Sequence, residues 1–168
     1  MSKIGLICAM DSEIYLITDA MENMKRYKVL DVWIYEGVIG DHEVVLAKSG
    51  CGKVNAAFAA TILIREFDCD LLINTGIAGG IAPLKTRDLV IASGLQYHDF
   101  DLVTFGYEIN QVPNMPKIFR PNINSIVMIK TVLNRLGIPY KDAMVYSGDQ
   151  FIDKMDQIPT IKEGAVEM

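Results

Sequence analysis

Glu13 is the side chain in this sequence best placed for acid-base chemistry. It follows the apolar run 3–9 by a few residues, where a carboxylate at the edge of a site could take a proton from water. The ordinary alternative is a surface glutamate in the first turn of a helix, because the positive end of the helix dipole favours negative charge there. Residue type and position alone leave both interpretations open.

Two further segments follow predicted strands and could contact a ligand. Residues 74–80 hold three glycines directly after a buried strand, where bare backbone can offer its N–H groups. A plain loop explains the glycines almost as well. Phe151 and Ile152 lie just past a strand predicted to end at Ser147. They would be core residues by default, but their position makes stacking on a base equally possible.

Two other motifs suggest phosphate or metal chemistry and fit it poorly. Residues 49–54 place a Gly-Lys pair at the start of a helix, but a P-loop needs glycine at Ala47 and a hydroxyl at Val54. We therefore predict a tight turn there, with Gly50 in an unusual backbone conformation. Residues 98–101 (HDFD) have no second cluster of metal ligands, so a hydrogen-bonded loop or subunit contact is favoured. No metal and no organic cofactor is predicted.

Alternating strand and helix patterns must position these residues. Continuous apolar runs predict strands buried on both faces, and apolar spacings of three and four predict helices. The predicted strands are 3–9, 32–38, 43–47, 70–75, 88–92, 143–147 and 165–168; the helices run from 11 through Met24 (capped by Asp11 or Ser12), over 52–66 and over 122–136. Residues 32–47 suggest a hairpin, and 98–121 an irregular segment. This order predicts an α/β fold with a largely parallel central sheet.

Composition narrows the class of protein. With 168 residues, 51% hydrophobic and 22% charged, the chain is expected to form one folded domain. Its net charge of -5, without a basic cluster, argues against nucleic acid as a partner and favours a small neutral or cationic ligand. Cys8, Cys51 and Cys69 lack CxxC spacing and are expected to be reduced core thiols. With no export signal and no membrane-length apolar run, a soluble cytoplasmic protein is expected.

A series of short motifs resembles the nucleosidase branch of the purine nucleoside phosphorylase superfamily, the 5'-methylthioadenosine/S-adenosylhomocysteine nucleosidases. The landmarks are ICAM (7–10) with Glu13, KSGCGKVNAA (48–57), NTG (74–76) with AGG (78–80), YHD (97–99) with Asp101, FGY (105–107), SGD (147–149) with Phe151 and Ile152, and VEM (166–168). Each motif is short, but their order and spacing extend along the whole chain.

The resemblance implies a phosphorylase/hydrolase-like three-layer α/β fold, with a mostly parallel mixed sheet between helices. It implies hydrolysis of the N-glycosidic bond of methylthioadenosine and S-adenosylhomocysteine, which releases adenine and the 5'-thio-ribose. Glu13 would activate the attacking water, opposing the oxocarbenium charge that develops on the ribose. Phe151 would stack on adenine, and the Ile152 backbone would read the purine edge. The remaining implied substrate contacts are Met10, Ala78, Gly79, Glu167 and Met168.

The resemblance also implies a homodimer. Leu102, Phe105 and Pro113 match positions that reach into the alkylthio pocket of the neighbouring subunit.

This chain departs from the family pattern at Ile77, where many relatives have serine. Any hydroxyl that holds the water would therefore have to come from elsewhere. In the family, a ribose-binding glutamate, an arginine and the aspartate that protonates adenine follow the position of Met168. We therefore expect residues 1–168 to form a single domain that lacks the family's C-terminal strand and helices. On its own, such a chain is expected to show little turnover.

Two alternatives remain open from the residues. A purine nucleoside phosphorylase would need cationic donors for phosphate near the first strand, whereas residues 10–13 (MDSE) are acidic and favour water as the nucleophile. If the chain truly ends at Met168, a non-catalytic nucleoside-binding module that keeps Phe151 is the other alternative.

Overall fold

The computed structural model describes residues 3–167, which group into two compact units that divide after Ile77. The expectation of one domain over 1–168 stays a prediction. Among the described residues, no helix combines the length and apolar character needed to cross a membrane.

The first unit is built on a five-stranded mixed sheet in the order β2-β3-β4-β1-β5. Its elements are β1 (Lys3–Cys8), α1 (Asp11–Asp19), β2 (Glu22–Val29), β3 (Val32–Ile39), β4 (His42–Lys48), α2 (Lys53–Arg65) and β5 (Leu71–Asn74). Strand β1 pairs in parallel with β4 and β5, so Leu6 lies opposite Leu46 on one side and Ile73 on the other. The strands β2 and β3 continue the sheet antiparallel.

Helices cover both faces of this sheet, which explains its continuous apolar strands. In β4, Val45 belongs to a core cluster that includes Leu63 of α2. Its neighbour Leu46 points to the other face and belongs to a cluster that includes Ile14 of α1. Because successive side chains of a strand point to opposite faces, a strand buried on both faces must be apolar at every position. The predicted three-layer α/β arrangement is confirmed.

The second unit contains a four-stranded mixed sheet in the order β6-β9-β8-β7. Its elements are β6 (Gly79–Ile81), β7 (Val90–Tyr97), α3 (Ile123–Arg135), β8 (Lys141–Ser147) and β9 (Gly164–Glu167), with short 3-10 turns at Val103–Phe105 and Met155–Gln157. Strands β7, β8 and β9 are parallel, and β6 is antiparallel to β9. Ile81 and Val166 form the small core with Ile158 and Ile161.

Several element predictions are confirmed, and two that concern the first helix are wrong. The predicted first helix ends at Asp19, because residues 22–29 instead form β2, whose Tyr27 and Val29 pack on the core cluster that includes Leu63. Its N-cap is Met10 rather than Asp11 or Ser12. The short β6 begins in the glycine segment 74–80, and no strand was predicted for its residues.

The core-thiol prediction also needs correction. Cys8 is buried as expected, but Cys69 is half-buried and Cys51 is exposed; all three are free thiols. Cys51 lies in the turn before α2, outside the helix that buries Ala59, Ile62 and Leu63.

Candidate active site

The carboxyl ends of three neighbouring parallel strands meet at one edge of the sheet in the first unit. The strands β4, β1 and β5 lie side by side and end at Lys48, Cys8 and Asn74. Backbone pairing continues just past them, since Ser49 N–H donates to the Cys8 carbonyl at 2.9 Å. Ligand sites in such sheets form at this edge, because it gathers loops from several strands.

Glu13 lies at this edge with its carboxylate held by three backbone N–H groups. Its Oε2 accepts from Ala9 N–H at 2.7 Å and from Met10 N–H at 3.0 Å. Its Oε1 accepts from Ile77 N–H at 3.0 Å. The first two donors precede α1 and the third follows β5. Hydrogen bonds to a carboxylate are about twice as strong as neutral ones, so the contacts fix the position of this side chain.

The arrangement leaves Glu13 able to accept one more hydrogen bond. A carboxylate has about four lone-pair sites, and the three N–H donors occupy three of them. The side chain is half-buried, so it is not fully sealed from solvent. A fixed carboxylate with a lone-pair site to spare can act as a general base once a water molecule binds there.

Ile77 contributes to this cluster through its backbone. Its side chain is 71% exposed, while its N–H reaches the Glu13 carboxylate. Any residue except proline at position 77 would keep that N–H. The presence of isoleucine, where the resemblance implies serine, is therefore compatible with this contact.

A neighbouring ion pair changes the charge expected for this edge. Lys48 Nζ lies 2.9 and 3.0 Å from the two carboxylate oxygens of Asp11. The charge of Asp11 is thus balanced by Lys48, the last residue of β4. The Glu13 carboxylate, in contrast, accepts its hydrogen bonds from uncharged backbone N–H groups. The exclusion of phosphate by an acidic turn stays a prediction that now depends chiefly on Glu13.

The turn between β4 and α2 has the backbone that was predicted for it. Gly50 has φ +81° and Gly52, the N-cap of α2, has φ +98°. Residues with a side chain rarely adopt these angles, so the glycines serve a sharp change of direction.

Cys8, the last residue of β1, is not a nucleophile. Burial, together with the smaller effect of the Glu13 charge, raises the pKa of its thiol to about 12. Because the thiolate is the reactive form, a thiol that keeps its proton at neutral pH is inert.

In the second unit, predicted substrate residues also gather at one end of the sheet. Ser147, at the end of β8, lies opposite Glu167 of β9, and Gly79 of β6 lies opposite Val166. Gly148 N–H donates to the Glu167 carbonyl at 3.3 Å. Gly79 and Ala78 are exposed, and Glu167 is half-buried. Their contact with substrate stays a prediction, and Met168 lies outside the described residues.

Phe151 and Ile152 follow β8 and differ in their surroundings. Ile152 packs against the Ile81 core, which is the default expected for it. The Phe151 ring is 71% exposed. A large exposed ring near the end of a strand is available for stacking, which is the role that the resemblance implies.

The predicted subunit-contact residues lie in the segment between β7 and α3. Phe105 is 75% exposed in the 3-10 turn that Leu102 precedes, and Val103 beside it is also exposed. Leu102 and Pro113 are half-buried. Exposed large apolar side chains close together are typical of contact surfaces.

The HDFD motif forms a hydrogen-bonded loop, as favoured above. Asp99 accepts from Asp149 N–H at 2.8 Å, and His98 N–H donates to the Ser147 carbonyl at 3.0 Å. A Cβ at Gly148 would lie 2.4 Å from the His98 ring. Within residues 3–167, no group of three or more His, Cys, Asp or Glu side chains is arranged to hold a metal.

Sequence reasoning missed two contributors to the Glu13 cluster, Ala9 and Gly76. Ala9 acts through its N–H, and Gly76 allows the carboxylate to approach the backbone. A glycine after β5 indicates that some group approaches the backbone closely there. That group is the carboxylate of Glu13, which lies far away in sequence.

Comparison with known proteins gives a consistent result. The model of the phosphorylase superfamily matches residues 3–165. A 5'-methylthioadenosine/S-adenosylhomocysteine nucleosidase of Staphylococcus haemolyticus is 39% identical over 160 residues, which cover 95% of this chain and 70% of the relative.

Solved structures of such nucleosidases have the same fold. The enzyme of Colwellia psychrerythraea, in complex with adenine, has a TM-score of 0.93 and 35% identity, covering 99% of this chain and 72% of that one. The enzyme of Neisseria meningitidis, in complex with methylthio-immucillin-A, has a TM-score of 0.92 and 37% identity, covering 100% and 76%.

Proposed function

The chain belongs to the phosphorylase superfamily, and because the relatives described above are nucleosidases, we propose that it hydrolyses the N-glycosidic bond of 5'-methylthioadenosine and S-adenosylhomocysteine. The products are adenine and the corresponding 5'-thio-ribose. The protein is thus an N-glycosyl hydrolase that acts on a small nucleoside. A phosphorylase is not favoured, because the relatives and structural neighbours described above are nucleosidases.

The observation that carries this proposal is the Glu13 carboxylate bonded to Ala9, Met10 and Ile77 N–H. As the glycosidic bond breaks, positive charge builds on the ribose, and water must attack that carbon. Glu13 takes a proton from this water through its remaining lone-pair site. Its negative charge also opposes the charge of the transition state.

The substrate contacts follow the family pattern. Phe151 stacks on the adenine ring, and the Ile152 backbone reads the purine edge. Met10, at the N-cap of α1, packs against the sugar, with Ala78 and Gly79 as nearby wall; Glu167 and Met168 complete these contacts. The exposure of the Phe151 ring supports the stacking role.

The proposal includes a cytoplasmic homodimer without a metal or organic cofactor. Leu102, Phe105 and Pro113 reach into the alkylthio pocket of the second copy. The exposed apolar side chains of Val103 and Phe105 support such a contact.

The test is an adenine-release assay on methylthioadenosine with the protein as its gene encodes it, with and without phosphate. We expect equal release in both buffers and free 5'-methylthioribose as the second product. Release that requires phosphate and yields a ribose-1-phosphate would identify a phosphorylase. Binding of adenine without release from either substrate would identify a binding module.

A further inference from the structure

Gly76 lies directly against the Glu13 carboxylate. A Cβ built on Gly76 would be 2.5 Å from Glu13 Oε1 and 2.9 Å from Glu13 Cδ. Real Cβ atoms essentially never approach closer than 3.0 Å. A side chain at position 76 therefore excludes the observed carboxylate position, in which Oε1 accepts from Ile77 N–H.

The backbone of Gly76 does not itself require glycine. Its φ lies outside the left-handed region, in contrast to Gly50 and Gly52. The three atoms nearest to its would-be Cβ all belong to Glu13. An alanine here is thus compatible with the local φ, and the group that its Cβ meets first is the Glu13 carboxylate.

We propose that Gly76 is a positioning residue for Glu13. Its missing side chain sets how deeply the carboxylate lies against the three N–H groups, and therefore where the base holds its water. This inference rests on the proposed role of Glu13. A displacement of about 1 Å in a catalytic group can lower the rate by about 10²-fold.

The first experiment is Gly76→Ala. We expect kcat for adenine release to fall by about 10²-fold while KM stays within about threefold, because the residue contacts the base and not the substrate. The matched control is Gly37→Ala, whose Cβ would be 3.0 Å from Met21 Cβ and from the Glu22 carbonyl. It crowds the same unit without contacting Glu13, so it should lower thermal stability and preserve kcat. An unchanged kcat in Gly76→Ala would overturn the proposal.

A double-mutant cycle isolates the contact. In a Glu13→Ala background the obstacle is gone, so adding Gly76→Ala should change neither the melting temperature nor the residual rate. Equal losses from Gly76→Ala in both backgrounds would mean that the glycine acts independently of Glu13, which contradicts the proposal.

Amide hydrogen exchange separates this inference from the proposed function. If the unaltered protein released no adenine, the proposed function would fail, but exchange at Ala9, Met10 and Ile77 would still report the carboxylate position. Gly76→Ala should expose these three amides, and Gly37→Ala should not. Unchanged protection of all three in Gly76→Ala would overturn the positioning role.

Discussion

At the scale of single residues, the candidate site depends on a side chain that backbone N–H groups hold in place. Three N–H groups fix Glu13, and two of them come from the residues that immediately precede its helix. The N-terminal end of a helix stabilises a carboxylate through its dipole and its unpaired N–H groups. The surface-glutamate and general-base interpretations therefore share one physical origin, and what distinguishes Glu13 is the third donor, Ile77 N–H, from the segment after β5.

Phe151 should govern binding more than turnover. Stacking of a base on an aromatic ring is worth about 1–3 kcal/mol, so Phe151→Ala should weaken adenine binding by about 5- to 150-fold. Isothermal titration with adenine measures the loss. The control is Tyr15→Ala, which removes another exposed ring and should leave the affinity unchanged. Equal affinity in Phe151→Ala would remove the stacking role.

The buried thiol of Cys8 should make stability fall at alkaline pH. An unfolded thiol loses its proton near pH 9, whereas burial raises the pKa of Cys8 in the folded protein to about 12. The contribution of the proton is complete below pH 9 and is lost as pH rises from 9 to 12, by up to about 1.4 kcal/mol per pH unit. Urea unfolding across this range measures the slope.

Cys8→Ala should make that slope shallower. Burial and a hydrogen bond to Glu36 also raise the pKa of Tyr27 to about 12. Tyr27 contributes equally to the slope in the unaltered protein and in Cys8→Ala. Cys51→Ala removes an exposed thiol and should leave the slope unchanged. An identical slope in Cys8→Ala would contradict the buried-proton explanation.

At the scale of elements, the ends of α3 show how local signals set a helix. Asn122 accepts from Ser125 N–H at 3.1 Å through its side chain, and Gly137 follows the helix with φ +67°. We expect Asn122→Ala to lower the free energy of unfolding by about 1 kcal/mol. Asn124→Ala, at the second residue of the helix, should cost nothing because alanine favours helix. Thermal denaturation of both variants tests this, and equal stabilities would rule out the cap.

Elements with local signals were predictable from the sequence, and those that depend on tertiary pairing were not. The boundaries of α2 and α3 follow from apolar periodicity flanked by glycine or asparagine. In contrast, Met21 and Met24 continue the helical spacing of α1, yet β2 forms because it pairs with β3 and buries Tyr27 and Val29. Strand β6 holds two glycines and exists only through its pairing with β9.

The site follows the same rule. The family motifs identify Glu13, but its bond to Ile77 joins residues 64 apart, and no pattern local to either residue indicates that contact. The Lys48–Asp11 pair, 37 residues apart, was equally invisible and alters the charge expected for the MDSE turn.

At the scale of the whole molecule, the expected homodimer stays a prediction with a direct test. Sedimentation velocity should give a dimer, and Phe105→Asp should shift it toward monomer, because a charge replaces an exposed apolar side chain in the proposed contact. Leu16→Asp changes an equally exposed residue on α1 and should leave the dimer intact. A monomeric unaltered protein, or an unaffected Phe105→Asp dimer, would remove this interface.

In the proposed reaction, Glu13 activates the attacking water. The most direct measurement is kcat for adenine release from methylthioadenosine by Glu13→Gln, which keeps the shape of the side chain and removes its basicity. Loss of a general base should lower kcat by about 10²- to 10⁴-fold. Glu163→Gln, the same change at an exposed glutamate of the second unit, should retain full activity. A Glu13→Gln protein as active as the Glu163→Gln control would contradict the account.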